Sequence, residues 1–286
     1  MAILNSVLVI APAGKVGQAI CKELGKRKDR FKRIAAFNNT SRGGSDAKDN
    51  LLADLHNLGL ETVSGSYQDV DIFRGFDVVI MPLGNHGLYL QPQIIDTAIA
   101  AGVRHFYPSE FGADLLVGDN WHQRYYKYKT ITREHLTARS KDTEGLGWTF
   151  VEIGRFTECS LAYFMHTLSD PFDESIPTSR QRTYRFNGGP YTWSQIFSTL
   201  EKITGHPYDV TYVPVEQVLE KEARAKEIGD VDLELEASHQ LIQGREGTLL
   251  PQPWDNGRFP NVKPKGLEEA LKQAFGNPGM REFLGL

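Results

Sequence analysis

The chain has 286 residues, of which 40% are hydrophobic and 24% are charged, as is usual for a globular protein. Its formal net charge of -4 gives no basic field that would attract nucleic acid or an anionic membrane. The two cysteines lie far apart without metal-ligand spacing, and no apolar run approaches the roughly 20 residues that span a bilayer. We therefore expect a cytoplasmic protein with reduced thiols and no metal, nucleic-acid or membrane partner.

Short apolar runs alternate with helical patterns through the first half of the chain. The runs that predict strands are, in chain order, SVLVIA, RIAAFN, LETVSG, FDVVIMPLG, VRHFYPS and GWTFVEIG. The segments that predict helices between them are KVGQAICKELGKR, AKDNLLADLHNL, PQIIDTAIAAG and YKYKTITREHLTARS. This alternation, with strands that are apolar almost throughout, predicts an α/β fold with a doubly wound parallel (Rossmann) sheet.

The alternation stops after about Phe156. We predict an NAD(P)-binding Rossmann domain over residues 1–156 and a smaller α/β substrate-binding domain over residues 157–286. A strand at YRFNGG and a helix at TWSQIFSTLEKITG, capped by Thr192 and ending at Gly205, are candidates to return to the Rossmann sheet. The charged segment EQVLEKEARAKEIGDVDLELEASHQLI predicts further helix, PQPWDNGRFPNVKPKG a loop, and the last residues a short helix.

The segment VIAPAGKVGQAI joins the first predicted strand to the first helix through a loop of small residues. Gly14 and Gly17 take the second and third glycine positions of a GxxGxxG pattern, and Ala11 takes the first. Small residues let the backbone approach a pyrophosphate, whose charge the amides at a helix start stabilise. We therefore predict a dinucleotide site here, with a plain glycine-rich turn as the alternative. Its residues are Ala11, Pro12, Ala13, Gly14, Lys15, Val16 and Gly17.

The end of the second predicted strand indicates which dinucleotide binds. NAD sites usually place a carboxylate there for the ribose hydroxyls, whereas the 2′-phosphate of NADP needs cations. Here Asn38 ends the strand, and Arg42 and Lys48 follow. This pattern favours NADP(H), with a solvated loop as the alternative role of the two cations.

The segment LQPQIIDTAIAAGVRHFYPSEFGADL closely resembles the NmrA-like group of atypical short-chain dehydrogenases. That group includes the isoflavone, pinoresinol and phenylcoumaran benzylic ether reductases. TWSQIFSTLEKITGHPYDVTYVPVEQVL resembles the second-domain signature of the same group. The resemblance implies an NADPH-dependent reductase of a small aromatic or conjugated substrate. We expect it to be a monomer or a homodimer.

The resemblance also implies roles for single residues. The group's phosphate-binding lysine maps onto Lys48, whereas its arginine after the second strand has no counterpart, since Asn38 stands there. Its catalytic lysine, which lies four residues before an arginine, maps onto Lys129 ahead of Arg133. A lysine that is held away from water has a lowered pKa and can serve as a general acid or base.

Tyr125 and Lys129 also fit the YxxxK spacing of ordinary short-chain dehydrogenases, which would place both side chains on one helix face. In those enzymes the tyrosine handles the proton and the lysine lowers its pKa, whereas the NmrA-like reductases usually use the lysine alone. Both mechanisms stay open. Lys127 is expected to face solvent, and Tyr126 and Tyr128 to serve packing.

Three further residues are expected near the cofactor because they follow predicted strands: Gly84, Ser109 and Phe156. Ser109 has a turn hydroxyl as its alternative role, and Phe156 has core packing. Two other functions remain as alternatives to the reductase. One is an NmrA-type regulator that binds NADP and senses redox state without turnover, and the other is a non-redox epimerase or dehydratase on the same fold.

Overall fold

The fold is described by a computed structural model that covers residues 5–41, 45–154, 181–260, 262 and 265–276. The described strands form one sheet of seven, and every neighbouring pair is parallel, in the order β3-β2-β1-β4-β5-β6-β7. The strands are β1 Ser6–Val9, β2 Arg33–Asn39, β3 Glu61–Gly65, β4 Val78–Ile80, β5 His105–Tyr107, β6 Gly147–Glu152 and β7 Gln181–Arg185. The predicted doubly wound parallel sheet is confirmed.

In the described chain four helices connect strands and pack on the sheet, and four more follow β7. In chain order they are α1 Lys15–Gly25, α2 Asp46–Asn57, α3 Gln91–Ala100, α4 Lys127–Asp142, α5 Trp193–Thr204, α6 Val215–Ile228, α7 Val231–Gly244 and α8 Leu267–Phe275. A single 3-10 turn, Arg124–Tyr126, leads directly into α4. None of the helices in the described part of the chain combines the length and the apolar character needed to cross a membrane.

The sheet separates two apolar cores, because successive side chains of a strand point to opposite faces. Val7 and Val9 of β1 belong to one core, together with residues of α1 and α2 such as Ile20 and Leu55. Leu8 and Ile10 belong to the other, where they meet Ile94, Ile95 and Ala98 of α3 and Leu136 of α4. With a core on each face, the central strands are apolar at nearly every position, and the sequence pattern follows from that.

The predicted strands are longer than the observed ones at their carboxyl ends. FDVVIMPLG contributes only Val78–Ile80 to the sheet, and VRHFYPS only His105–Tyr107. Met81 and Leu83 are buried all the same, in the core that contains α3, and the Met81 amide still donates to the Tyr107 carbonyl. Apolar character there indicates burial, which continues beyond the last residue of the strand.

In the second half the predicted helix at TWSQIFSTLEKITG is confirmed. The strand predicted at YRFNGG begins and ends earlier, and β7 shares only Tyr184 and Arg185 with it. One further segment differs. β7 pairs with β6, and α5 has a capping box formed by Thr192 and Gln195 and ends at the left-handed Gly205. The charged segment predicted as continuing helix is two helices, α6 and α7, which are separated by the left-handed Gly229 (φ 72°) and by Asp230, whose carboxylate accepts from the Leu233 amide. The division into domains at residue 156 stays a prediction.

Candidate functional site

The predicted site residues that the structure describes lie at or near the carboxyl edge of the sheet. The chain runs from β1 outward to β2 and β3, then returns to place β4 on the other side of β1. In open parallel sheets this reversal of strand order leaves a crevice between two loops, and ligands bind there. The loop after β1 and the loop after β4 therefore form the walls of the candidate cofactor site.

The glycine loop after β1 brings an uncapped helix start to this crevice. α1 begins at Lys15, and no side chain caps the amides of its first turn. A side chain at Gly17 would lie 2.3 Å from the carbonyl oxygen of Ala11, so only glycine lets the helix pack this closely on the loop. A Cβ at Gly14 would be 3.7 Å from that oxygen, an ordinary contact. Free amides with little bulk above them are what a pyrophosphate requires.

The other loop residues differ in exposure, and one of them has an unusual backbone. Ala13, Gly14 and Lys15 are exposed, Pro12 and Gly17 are buried, and Ala11 and Val16 are half-buried. Ala11 has φ 54°, the left-handed region that favours glycine. The position that carries glycine in the GxxGxxG pattern thus keeps the glycine conformation although its residue is alanine.

Asn38 lies near the carboxyl end of β2, where an adenosine ribose would approach. Its Nδ2 donates to the Ser64 hydroxyl of β3 at 3.1 Å, and its Oδ1 is buried without a hydrogen-bond partner in the described chain. Buried polar atoms are usually paired, so this acceptor points to a group outside the described residues. Arg42 and the side chain of Lys48 also lie outside them, and their contact with a 2′-phosphate stays a prediction.

Gly84 and Ser109 lie on the loops after β4 and β5. Gly84 is exposed, with open space where a side chain would be. Ser109 is buried, its hydroxyl donates to the Leu83 carbonyl at 2.7 Å, and its amide donates to Gln91 Oε1 at 2.7 Å. Ser109 thus ties the loop after β5 to the loop after β4 through a long-range bond, and its predicted contact with a nicotinamide stays a prediction. Phe156 lies outside the described residues.

Lys129 is buried on the side of α4 that faces the sheet, with 8% of its surface exposed. Its ammonium donates a hydrogen bond to the main-chain carbonyl of Glu110, in the loop after β5. Burial lowers the pKa of Lys129, the Arg133 cation lowers it further, and the charges of Glu110 and Glu152 oppose both effects. A buried amine with a lowered pKa is suited to move a proton near neutral pH.

Arg133 lies one helical turn after Lys129 and bonds two buried carboxylates. Its Nε and Nη2 donate to the two oxygens of Glu110 at 2.8 and 3.0 Å, and Nη2 also donates to Glu152 Oε1 at 2.9 Å. Glu152 is fully buried at the end of β6, and burial outweighs the pull of Arg133, so that its pKa is raised from 4.5 to about 7. Glu152 was not predicted as a site residue, although a carboxylate in the apolar run GWTFVEIG indicates a buried partner.

Helix α4 begins at Lys127, so Tyr125 lies before it. Tyr125 and Lys129, which were predicted to share one helix face, therefore lie on a 3-10 turn and on a helix, respectively. The Tyr125 ring stacks on His239 of α7, with centroids 4.5 Å apart and planes 9° apart, and its amide donates to the Ser238 hydroxyl. The ring centroid of the neighbouring Tyr126 lies 5.3 Å from the Lys129 ammonium. A catalytic role for Tyr125 stays a prediction.

The neighbours of these residues match their expected roles. Lys127 is exposed, Tyr126 is buried and Tyr128 is half-buried, as expected for a solvated lysine and two packing tyrosines. An open groove of about 880 Å³ lies between α4, α6 and α7. Its walls include Lys127 and Thr130, and charged side chains of both signs. Lys129 itself does not line this groove.

With this geometry in place, comparison with known proteins identifies the family. The NmrA-like family model matches residues 4–184. The chain belongs to the NmrA-like family. The predicted resemblance is therefore confirmed over the sheet, the glycine loop and the helix that carries Lys129.

Relatives extend the similarity over nearly the whole chain. The phenylcoumaran benzylic ether reductase Betv6 of Betula pendula is 24% identical and covers 96% of this chain and 99% of its own. The oxidoreductase aprR of Aspergillus flavus is 33% identical, over 44% of this chain and 39% of its own. These relatives agree with the expectation of an oxidoreductase of the isoflavone reductase-like kind.

Solved structures show the same fold at low sequence identity. AtPrR2 with NADP+ and (+)pinoresinol superimposes with a TM-score of 0.76 at 19% identity, and covers 96% of this chain and 99% of its own. The complex of leucoanthocyanidin reductase with NADPH from Vitis vinifera gives a TM-score of 0.76 at 13% identity, over 94% and 99% of the two chains. NADP(H) is the cofactor named for both of these structures.

Proposed function

We propose that this member of the NmrA-like family is an NADPH-dependent reductase. In this proposal it transfers a hydride to a small aromatic or conjugated substrate, and Lys129 manages the proton. The observation that carries the proposal is the Lys129 amine, which is buried, bonded to a main-chain carbonyl and lowered in pKa. A protein that only senses NADP has no need for such a group.

The residues of the crevice fit a dinucleotide. The uncapped amides at the start of α1 would hold the pyrophosphate, with Gly17 packing the helix on the loop and Gly14 leaving the approach open. Asn38, Arg42 and Lys48 would surround the adenosine ribose and its 2′-phosphate, and Gly84 would let the cofactor approach β4. When bound, NADPH supplies the hydride.

Lys129 would act on the substrate side of the reaction. Its lowered pKa brings the amine closer to the range in which a general acid or base is most effective. The ammonium would donate to an oxygen that gains negative charge as the hydride arrives. The relatives support an aromatic substrate, since one of their solved complexes contains (+)pinoresinol.

Three single variants test the role of Lys129, with NADPH and a panel of benzylic ether, furofuran lignan and isoflavone acceptors. Lys129→Ala should bind NADPH nearly as well as the wild type but lose about 10²–10⁴-fold in turnover, the usual contribution of a positioned acid or base. Lys127→Ala is the matched control, because Lys127 is an exposed lysine on the same helix, and it should be nearly silent.

Tyr125→Phe separates the two proton mechanisms. It keeps the stacking on His239 and removes only the hydroxyl. Under the lysine mechanism it should cost less than about tenfold in rate, roughly 1.4 kcal/mol of barrier. A loss as large as that of Lys129→Ala would favour the Tyr–Lys mechanism. Full turnover by Lys129→Ala on a verified substrate would refute the proposal, and NADPH binding without turnover of any acceptor would favour the regulator.

A further inference from the structure

A row of five charged side chains runs behind Lys129 from the loop after β5 to β7. Beyond the bonds of Arg133 to Glu110 and Glu152, Arg185 Nε lies 3.2 Å from Glu152 Oε2, and Arg185 Nη2 lies 2.7 Å from Asp114 Oδ2. We call Glu110, Arg133, Glu152, Arg185 and Asp114 the charged row. Four of them are almost completely buried, and Arg185 keeps a quarter of its side chain exposed.

Stability does not explain the charged row. Buried ion pairs lose so much hydration that apolar residues of similar volume are often equally or more stabilising. The row also contains three carboxylates and only two guanidinium groups, so by itself it carries one negative charge. The Lys129 ammonium, bonded to the backbone of Glu110, makes the set neutral. While Glu152 is ionised, the set is therefore neutral only when Lys129 is protonated.

We propose that Arg133 and Glu152 are positioning residues for Lys129. Arg133 fixes the loop whose carbonyl accepts the hydrogen bond of the Lys129 ammonium, and Glu152, together with Glu110, supplies the negative charge that balances this ammonium. This inference rests on the proposed function of Lys129 as the group that handles the proton.

The geometry carries the first half of the proposal. Lys129 and Arg133 stand one turn apart on α4 and hold the same residue, Glu110, by its carbonyl and by its carboxylate. The next residue, Phe111, has φ 23°, a backbone conformation that side chains disfavour and that surrounding contacts must hold. A Cβ at Gly112 would lie 3.3 Å from the Lys129 ammonium, so glycine leaves the space that the amine needs.

The charges carry the second half. The groups that surround Lys129 and Glu152 are Glu110 and Asp114 from the loop after β5, Arg133 on α4, Arg185 on β7, and the Tyr126 ring. Burial raises the pKa of Glu152 to about 7, so this carboxyl gains or loses its proton near neutral pH. When Glu152 takes up a proton, the row becomes neutral without Lys129, and the ammonium loses the charge that retains its proton.

The test is a titration of Lys129 in the full chain without cofactor or substrate. The ¹³Cε shift of labelled lysine reports the midpoint directly, and Lys129→Arg assigns the signal. Glu152→Gln keeps the shape and removes the charge, so it should move the midpoint down by about one pH unit. Glu134→Gln is the matched control, because it removes an exposed carboxylate from the same helix and should leave the midpoint unchanged.

The direction in which Glu152→Gln moves the Lys129 midpoint separates a positioning role of Glu152 from a merely structural one. Damage to the fold would let water reach Lys129 and move its midpoint up towards the ordinary value, whereas loss of the balancing charge moves it down. Arg133→Met removes a cation and should move the midpoint up, whereas Arg133→Lys keeps the cation and should leave it near the wild-type value; a midpoint raised equally in Arg133→Lys would indicate damage to the fold instead. If Glu152→Gln does not fold, Glu110→Gln removes another carboxylate of the row and should also move the midpoint down.

The outcomes decide the inference independently of turnover. An unchanged or raised midpoint in folded Glu152→Gln overturns it. If the midpoint falls as expected while Lys129→Ala keeps full turnover, the charged row does tune Lys129 but the proposed function of that lysine is wrong.

Discussion

Gly14 and Gly17 lie three residues apart in the loop after β1, yet only at Gly17 would an added Cβ clash with the backbone. The GxxGxxG pattern does not distinguish the two glycines, whereas their surroundings in the structure differ. Gly17 permits the close approach of α1 to the loop, and Gly14 keeps the uncapped amides of the helix open.

Substitution should separate these tasks. Gly17→Ala would place a methyl group 2.3 Å from the Ala11 carbonyl oxygen, so the free energy of unfolding should fall by about 1–3 kcal/mol. Gly14→Val has room within the fold and should keep most of the stability, but it should lose NADPH binding. Denaturant unfolding and calorimetric titration measure the two effects. Normal NADPH affinity in a folded Gly14→Val protein would show that phosphate binds elsewhere.

The raised pKa of Glu152 has a consequence for stability. The folded protein keeps the Glu152 proton up to about pH 7, whereas an ordinary glutamate loses it near pH 4.5. The stabilisation that the bound Glu152 proton gives to the folded state is therefore complete below pH 4.5 and is lost as pH rises towards 7. Unfolding measured from pH 4.5 to 8 should show a decline in the wild type relative to Glu152→Gln, roughly 3 kcal/mol at most. Parallel pH curves for the two proteins would contradict this.

Among the elements, α5 shows most directly how local signals define a helix. The Thr192 hydroxyl accepts from the Gln195 amide, the Gln195 side chain accepts from the Thr192 amide, and Gly205 ends the helix with φ 72°. Both ends were predicted from the sequence, because capping chemistry depends on neighbouring residues alone.

Thr192→Ala should lower the free energy of unfolding by about 1 kcal/mol through loss of the cap. Thr199→Ala is the matched control, since Thr199 lies inside the same helix, where alanine is the better helix former. Denaturant titration of both variants decides the matter. Equal stability of the two variants would mean that the cap contributes nothing.

The order and type of most elements were predicted from the sequence alone. The predictions failed where contacts between residues far apart in the chain determine the structure. Strand–helix alternation predicted the parallel sheet, and the resemblance led to Lys129. The end of β4, the 3-10 turn that carries Tyr125 and the partners of Arg133 were not predictable, because each depends on loops that meet across the sheet edge. Glu152, Asp114 and Arg185 are brought to one row only by the pairing of β6 with its neighbours.

On the scale of the whole molecule, α7 connects the second half of the chain to the loops around the site. Asp232 contacts His86 after β4, Glu234 pairs with Arg124 at 3.0 Å, and Ser238 accepts from the Tyr125 amide. The candidate site is therefore bounded by elements from both halves of the sequence. A ligand that binds across the sheet edge should stabilise the fold as a unit.

Cofactor preference can be read from that stabilisation. NADPH at a hundredfold excess over its Kd should raise the free energy of unfolding by about 2.7 kcal/mol, and NADH at the same concentration should give less. Asn38→Asp brings a carboxylate to the end of β2 and should shift the preference towards NADH. Asn39→Asp, on the opposite face of the strand, is the control. Equal effects of both cofactors on the wild type would end the NADP assignment.

The strand order has a consequence for how the chain assembles during synthesis. β2 and β3 extend the sheet from one edge of β1, and β4, β5, β6 and β7 then extend it from the other edge in the order in which they are translated. No described strand has to be inserted between two that are already paired. The newest strand always joins an open edge, so the sheet can grow on the ribosome without undoing earlier pairing. The charged row is completed last, because Arg185 lies on β7, which is translated after Asp114 and Glu152.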